Sequence, residues 1–398
     1  MSGLSRRRLA TIVVGLLLGN LVAEVARGTW NTAAGGANDW LPVAAAGRLL
    51  AHGSTCLYCG AKLAAAETSL LGRPVPWGLG TLLVGGANYQ PFLNPPPAAL
   101  VAVPLALLPP AIGFALFSGL SVAAIAVGYR VLTRFLHCPP LPTVLALLAV
   151  PGILGLALGQ WAAILTLALV LALWKLEDRP VLAGLLLSLL LVKPQYVWLV
   201  PVALVLAGRW RVLLGLGIGA ALLGATSVIL VGPAGIGEWI TASVTAGGQQ
   251  MRLTFGVPGV VAGVLGPDAG YASLGLAAVL AVGMAVRWRQ QLRARPELTI
   301  AVFACLSLLL SPHVLVQDGL VLAPALALAA RRWPRPAAGA ALLLSAIFLG
   351  DLSVGTLDAA LGFVALAVPT MVALVSLLRP NATEPRRGPA TVAQGALL

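Results

Sequence analysis

Charge is what this sequence has least of. Charged residues fill 9% of its 398 positions, and only 12 of them are acidic, where a soluble domain carries roughly a quarter. So little charge excludes a water-covered globular surface. Cysteine is sparse too: of the four present, only Cys56 and Cys59 stand at a CxxC spacing. Without a second pair they cannot complete a four-cysteine zinc site; a local disulfide and two idle thiols both stay open. Nucleotide machinery is missing as well. There is no Walker lysine loop, no GxSxG elbow, no HExxH, no dinucleotide fingerprint and no DxD pair. No metal and no cofactor is expected.

What is abundant is apolar: 59% of the residues, with a mean hydropathy of +0.97. This composition predicts an all-α polytopic membrane protein. The net charge of +13 would suggest nucleic acid in a soluble chain. Here it is better explained by basic cytoplasmic loops, which set membrane topology. No RNA-recognition motif or zinc-finger spacing supports the other view, and no nucleic-acid partner is expected. Arg6-Arg7-Arg8 before the apolar run 9–26 reads as an uncleaved first helix with its N-terminus in the cytoplasm. Further apolar runs at 111–134, 143–157, 161–174, 181–192, 196–207, 212–231, 271–286, 298–310, 314–330, 337–349 and 359–378 bring the expected spans to about 12.

Two long outer loops interrupt this series. The first, 27–110, holds an amphipathic piece at 40–52 and an apolar run at 98–108, between Pro95-Pro96-Pro97 and Pro109-Pro110. That run is too short to span, so it reads as an interfacial or re-entrant helix. The second, 232–270, contains Glu238, Trp239, Gln249, Gln250 and Arg252. Residues 1–378 thus form a single transmembrane domain, and 379–398 a basic, disordered cytoplasmic tail. This arrangement puts 19 of the 25 basic residues on the cytoplasmic side. Letting 98–108 span would reverse every later loop and destroy the bias.

Polar residues at apolar helix ends are costly, so their positions are informative. They gather on the outer face: Asn38-Asp39, the stretch 88–96 with Asn94, Gly159-Gln160, Lys193-Pro194-Gln195, and Ser311-Pro312-His313 with Asp318. Five segments on one face predict one cavity. Asp39 is the sharpest catalytic candidate, although an aspartate there also suits a helix N-cap. Lys193 offers a point charge to a phosphate, or snorkels to the interface; its place inside an apolar hairpin favours binding. His313 can give a proton or hydrogen bond near neutral pH, or simply bond a carbonyl. Asp318, five residues further on, need not face His313. Gln160 and Gln195 suit sugar hydroxyls or the backbone of broken helices. Arg252 suits a phosphate or bulk solvent.

In order and spacing these segments resemble the integral-membrane glycosyltransferases of the GT-C fold. The closer resemblance is to glycosyltransferase family 87, which includes polyprenol-phosphate-mannose-dependent α-1,2-mannosyltransferases acting on phosphatidylinositol mannosides. Its marks are Asp39, Pro91-Phe92-Leu93-Asn94-Pro95-Pro96, Leu107-Leu108-Pro109, Gly159-Gln160, Lys193-Pro194-Gln195 and Ser311-Pro312-His313. The resemblance implies that Asp39 is the general base and that His313 lies at the active site. It places Lys193 and Gln195 beside the donor phosphate, with Gln160, Arg252 and Asn94 as further donor-binding candidates. The implied reaction is inverting transfer of a sugar, with mannose the leading choice, from polyprenyl phosphate to a lipid or glycan acceptor outside the membrane. The chain departs from the family at Trp40-Leu41-Pro42, where tyrosines usually follow the aspartate. It departs again at Asn94, usually aromatic, and after Gly159-Gln160, where Trp161-Ala162-Ala163 stands in place of a run with the common asparagine. These changes bear on the sugar and acceptor more than on the reaction class. The competing reading is a transporter, flippase or scaffold of envelope glycolipid assembly. Richness in alanine, glycine and arginine points to a bacterial genome and a plasma-membrane location.

Overall fold

Every regular element among the described residues is helical, as the apolar composition requires: in lipid a backbone must satisfy its own hydrogen bonds. The computed structural model describes residues 3–36, 38–75, 89–251, 254–354 and 359–379. Arg252, Asn88 and the tail beyond 379 lie outside these.

The first helix, Gly3–Ala33, is longer than the expected run 9–26 and begins before the arginine triplet. Among the described residues, four helices can cross a membrane by length and composition: Pro110–Arg134, Trp210–Ala246, Pro267–Arg287 and Ala359–Leu378. A fifth span results if Pro140–Leu147 and Val150–Leu158, bent by 41°, are taken together. Helix length therefore supports a multi-pass membrane protein but does not reach twelve spans.

Proline and glycine are the physical reason. Pro151 starts the second half of the bent pair, because proline opens a helix but cannot continue one. The expected span 181–192 tightens into a 3-10 turn at Leu189–Val192, and 314–330 opens as the 3-10 segment Val316–Leu322. Irregular backbone within a membrane protein is tolerated where it is buried in protein or lines a cavity. Both of these segments adjoin predicted polar sites.

The expected second loop is mostly helix. Trp210–Gln250 is two helices that meet at Gly232, whose non-helical backbone (φ 69°, ψ 175°) before Pro233 breaks the run where the span 212–231 was expected to end, and Val257–Leu265 follows. At 1.5 Å per residue the part before the break, 210–231, reaches about 33 Å, enough to cross a hydrocarbon core.

In the first loop the amphipathic piece forms the helix Trp40–Ala51, of which Trp40 through Gly47 are all buried. It packs beneath Pro96–Ala106, the helix expected at 98–108, with Gly47 close against Ala99, Ala102 and Ala106. Small side chains let the two backbones approach. The other face of Pro96–Ala106 exposes Leu100 and Val101. The same device joins Pro180–Ser188 to Trp210–Gln250. A Cβ on Gly184 would lie 2.0 Å from the Val212 carbonyl oxygen, and one on Gly215 would lie 2.1 Å from that of Val181. Small residues one turn apart are how membrane helices pack without a hydrophobic drive between them.

One end of the bundle is tied together by arginines. Arg295 donates to the carbonyl of Ser376 (2.7 Å), Arg332 to that of Arg379 (2.9 Å) and Arg293 to that of Leu206 (3.0 Å). Arg331 bonds the carbonyl of Leu136, and Arg209 pairs with Glu177 at 2.7 Å. Cations there satisfy the orphan carbonyls of helix C-termini. The broken helices deliver their polar residues to the other end.

Candidate active site

Asp39 follows a turn that is anchored twice. Arg73 grips the carbonyl of Gly35 through Nε (3.0 Å) and Nη2 (2.8 Å), and Asn38 Nδ2 donates to Thr32 Oγ1 at 2.8 Å. The aspartate precedes helix Trp40–Ala51, yet its side chain makes no capping bond and its backbone is helical at φ −70°, ψ −12°. An N-cap would use extended backbone and bond the first turn. The capping reading therefore fails. Instead Gln160 Nε2 donates to Asp39 Oδ2 at 2.6 Å, across 121 residues of sequence.

Gly159 makes that meeting possible. It ends helix Val150–Leu158 with φ +73°, and a Cβ there would lie 2.7 Å from Cβ of Trp40. A side chain would have to push away the residue beside the aspartate, in a backbone region that glycine alone enters freely. Trp40 itself is fixed by stacking on Phe117 at 4.7 Å, which meets Trp161 edge-on at 5.2 Å.

Lys193 sits between the two 3-10 turns Leu189–Val192 and Pro194–Tyr196 and is buried. Its ammonium neither snorkels nor stands bare. It donates to Asp318 Oδ1 at 2.7 Å, where the Tyr196 hydroxyl also donates at 2.5 Å, and Asp318 Oδ2 accepts from the Leu315 N–H at 2.9 Å. Asp318 is wholly buried. An ammonium carries three protons, so two remain for other partners.

His313 is half-buried, and its backbone N–H donates to Ser311 Oγ at 3.2 Å. Burial chiefly lowers its pKa; the Asp318 charge opposes this and the Lys193 charge adds to it, so the ring favours the neutral form.

Asp39, Gln160, Lys193 and His313 line one cavity of about 480 Å³, whereas Asp318 and Tyr196 stand behind Lys193 and do not line it. Its wall includes Asp39, Asn94, Gln160, Lys193, Gln195 and His313, six residues drawn from five separated segments. Asn94 Nδ2 donates to the Val192 carbonyl at 3.4 Å. Sequence reasoning did not assign Trp198, Trp239, Ser243 or Gln317 to a site, yet all four line it. Trp198 and Trp239 spend their indole N–H groups on the carbonyls of Ser307 (2.7 Å) and Leu93 (2.9 Å), leaving ring faces as walls. Gln317 alone left a usable trace, as a glutamine beside Asp318 in an apolar run. The grouping of possible metal ligands among the described residues, Cys56, Cys59 and Glu238, does not line this cavity.

Burial raises the pKa of Asp39 above its ordinary value. The Gln160 hydrogen bond and the Lys193 charge oppose the rise, and the Asp318 charge adds to it. A carboxylate so placed is a stronger base than one in water. If catalysis needs it ionised, activity falls as pH drops through this raised pKa. Gln160→Leu removes a bond that favours the charged form, so the acid limb of the kcat/KM profile is expected to move to higher pH. An unmoved limb would show that the bond does not tune the carboxylate.

The sequence profile of glycosyltransferase family 87 matches residues 92–312, which is more than half of the chain. The match takes in Asn94, Gln160, Lys193 and Gln195, and stops just short of His313; Asp39 precedes it. No curated protein and no solved structure matches the chain.

Proposed function

Since the chain belongs to glycosyltransferase family 87, we propose that it moves a sugar, mannose being the first to test, from a polyprenyl-phosphate donor to an acceptor hydroxyl. The acceptor is a lipid or glycan at the outer face, and the transfer inverts the anomeric centre. One observation carries this reading. The Asp39 carboxylate, held by Gln160 at 2.6 Å, shares a single cavity with the ammonium of Lys193 and the imidazole of His313.

In the proposed reaction Asp39 takes the proton of the acceptor hydroxyl as its oxygen bonds to the anomeric carbon. The bond from that carbon to the phosphate oxygen breaks, and the electron pair leaves with the polyprenyl phosphate. Lys193, with Asn94 and Gln195 beside it, stabilises the charge on the departing phosphate, and His313 offers a hydrogen bond or proton. A single base opposite the leaving group gives inversion. A lipid-borne donor suits a cavity walled by Trp239 of Trp210–Gln250 and Leu274 of Pro267–Arg287. The outer faces of these helices expose Ile240, Val244, Leu276 and Val279.

The test supplies the purified protein in nanodiscs with polyprenyl-phosphate-mannose, the corresponding glucose and arabinose lipids, or GDP-mannose, each with a lipid acceptor mixture. Transfer from one of the lipid phosphates and none from GDP-mannose is expected. Transfer from the nucleotide alone would overturn the donor class. Transmembrane movement of a labelled lipid without bond cleavage would favour a flippase.

A further inference from the structure

The segment 89–95 supplies one wall of the cavity through Gln90, Pro91, Leu93 and Asn94, yet it has no regular structure of its own. Three side chains hold it. Glu67 Oε2 accepts the Gln90 N–H at 2.9 Å, Trp239 Nε1 donates to the Leu93 carbonyl at 2.9 Å, and the Tyr58 hydroxyl donates to the Asn94 carbonyl at 2.8 Å. Tyr58 also stacks on Phe92 at 5.5 Å, and Phe92 is buried.

Two of these three holders come from one short stretch. Cys56 and Cys59 are joined as a disulfide, their Cα atoms 5.5 Å apart, and the loop they close contains Leu57 and Tyr58. Leu57 is wholly buried, so it roots the loop in the core. Cys59 occupies the N-cap position of helix Gly60–Leu71, and Glu67 lies on that helix. The bridge therefore sets both the direction of Tyr58 and the start of the helix that presents Glu67. Gly60 leaves room for Tyr89 at the head of the segment, because a Cβ there would lie 2.7 Å from its hydroxyl.

We infer that the Cys56–Cys59 disulfide is a redox-sensitive clamp on the donor-binding wall of the cavity, with Tyr58 as a positioning residue that acts through Asn94. The effect on turnover rests on the proposed transfer reaction; the clamp itself does not. A side chain already immobilised on both flanks loses less freedom when it makes its hydrogen bond. Opening the bridge returns that freedom to the loop. Both cysteines are half-buried, within reach of a small dithiol such as dithiothreitol. In that exchange two electrons and two protons pass to the sulfurs, which become thiols, and the reductant becomes its own disulfide.

The experiment compares oxidised and dithiothreitol-reduced protein in nanodiscs, alongside Cys56→Ser/Cys59→Ser and Tyr58→Phe. Maleimide labelling with intact-mass detection should add two groups upon reduction, since Cys138 and Cys305 are buried. Hydrogen exchange at the amides of residues 89–94 should speed up in the reduced protein and in both variants, accompanied on loss of the bridge by the loop 56–59 and the first turn of helix Gly60–Leu71, with the rest of the chain unchanged. KM for the lipid donor should rise by about three- to tenfold, the loss of one hydrogen bond, with kcat nearly kept. The double serine variant should no longer respond to dithiothreitol. Exchange that is unchanged on reduction, or that rises throughout the protein, overturns the clamp. Labelling and exchange need no turnover, so failure of the glycosyltransferase reading shows itself separately, as absent transfer from every donor.

Discussion

Asp39→Asn lowers sugar transfer by about 10²–10⁴-fold, the contribution expected of a positioned general base. Asparagine has nearly the same shape, and its carbonyl oxygen can still accept from Gln160 Nε2, now 2.6 Å from Asp39 Oδ2. Packing around Trp40 is untouched, so expression and melting temperature should stay close to those of the unaltered protein. The loss should fall on the chemical step, and single-turnover transfer is the measurement that isolates it. An Asp39→Asn variant that keeps more than a tenth of the single-turnover rate would remove Asp39 as base. The same experiment across pH carries a sign: the unaltered protein loses activity as pH falls through the raised Asp39 pKa, and the variant should lose that limb.

The second large effect is on stability. Asp318→Ala leaves the Lys193 ammonium buried without its partner, and breaking a buried ion pair costs about 3–5 kcal/mol. The Tyr196 hydroxyl and the Leu315 N–H lose their acceptor in the same change. A marked fall in melting temperature is the expected result. Lys193→Met/Asp318→Leu should recover much of the loss, because replacing a buried pair by apolar groups is often neutral or better. It should not recover transfer, since the cation proposed to face the donor phosphate is gone. If the double variant transfers sugar normally, Lys193 has no part in binding the donor. If Asp318→Ala melts normally, the pair contributes nothing to the fold.

That pair marks a boundary between what composition and pattern convey and what only folding decides. Composition alone sets the helical membrane class, because so few charges cannot cover a soluble surface and a lipid-embedded backbone must close its own hydrogen bonds. The sequence also singled out residues that the fold brings to one cavity. Polar residues survive in apolar runs only at special places, which is why Asp39, Asn94, Gln160, Lys193, Gln195 and His313 stand out along the chain, and all six line the cavity. Their partners were not legible. Nothing local distinguishes an aspartate that caps a helix from one that a glutamine 121 residues away holds, and the glycine turn at Gly159 makes that choice. Asp318 lies 125 residues from Lys193, and its spacing from His313 said nothing of the lysine. The pair at Gly232-Pro233 carries the chemistry of a stop and does end one helix, but a second helix sets off at once where a loop was expected. In each case the deciding energy is a hydrogen bond, an ion pair or a packing contact between distant segments, and only the tertiary structure determines which segments meet.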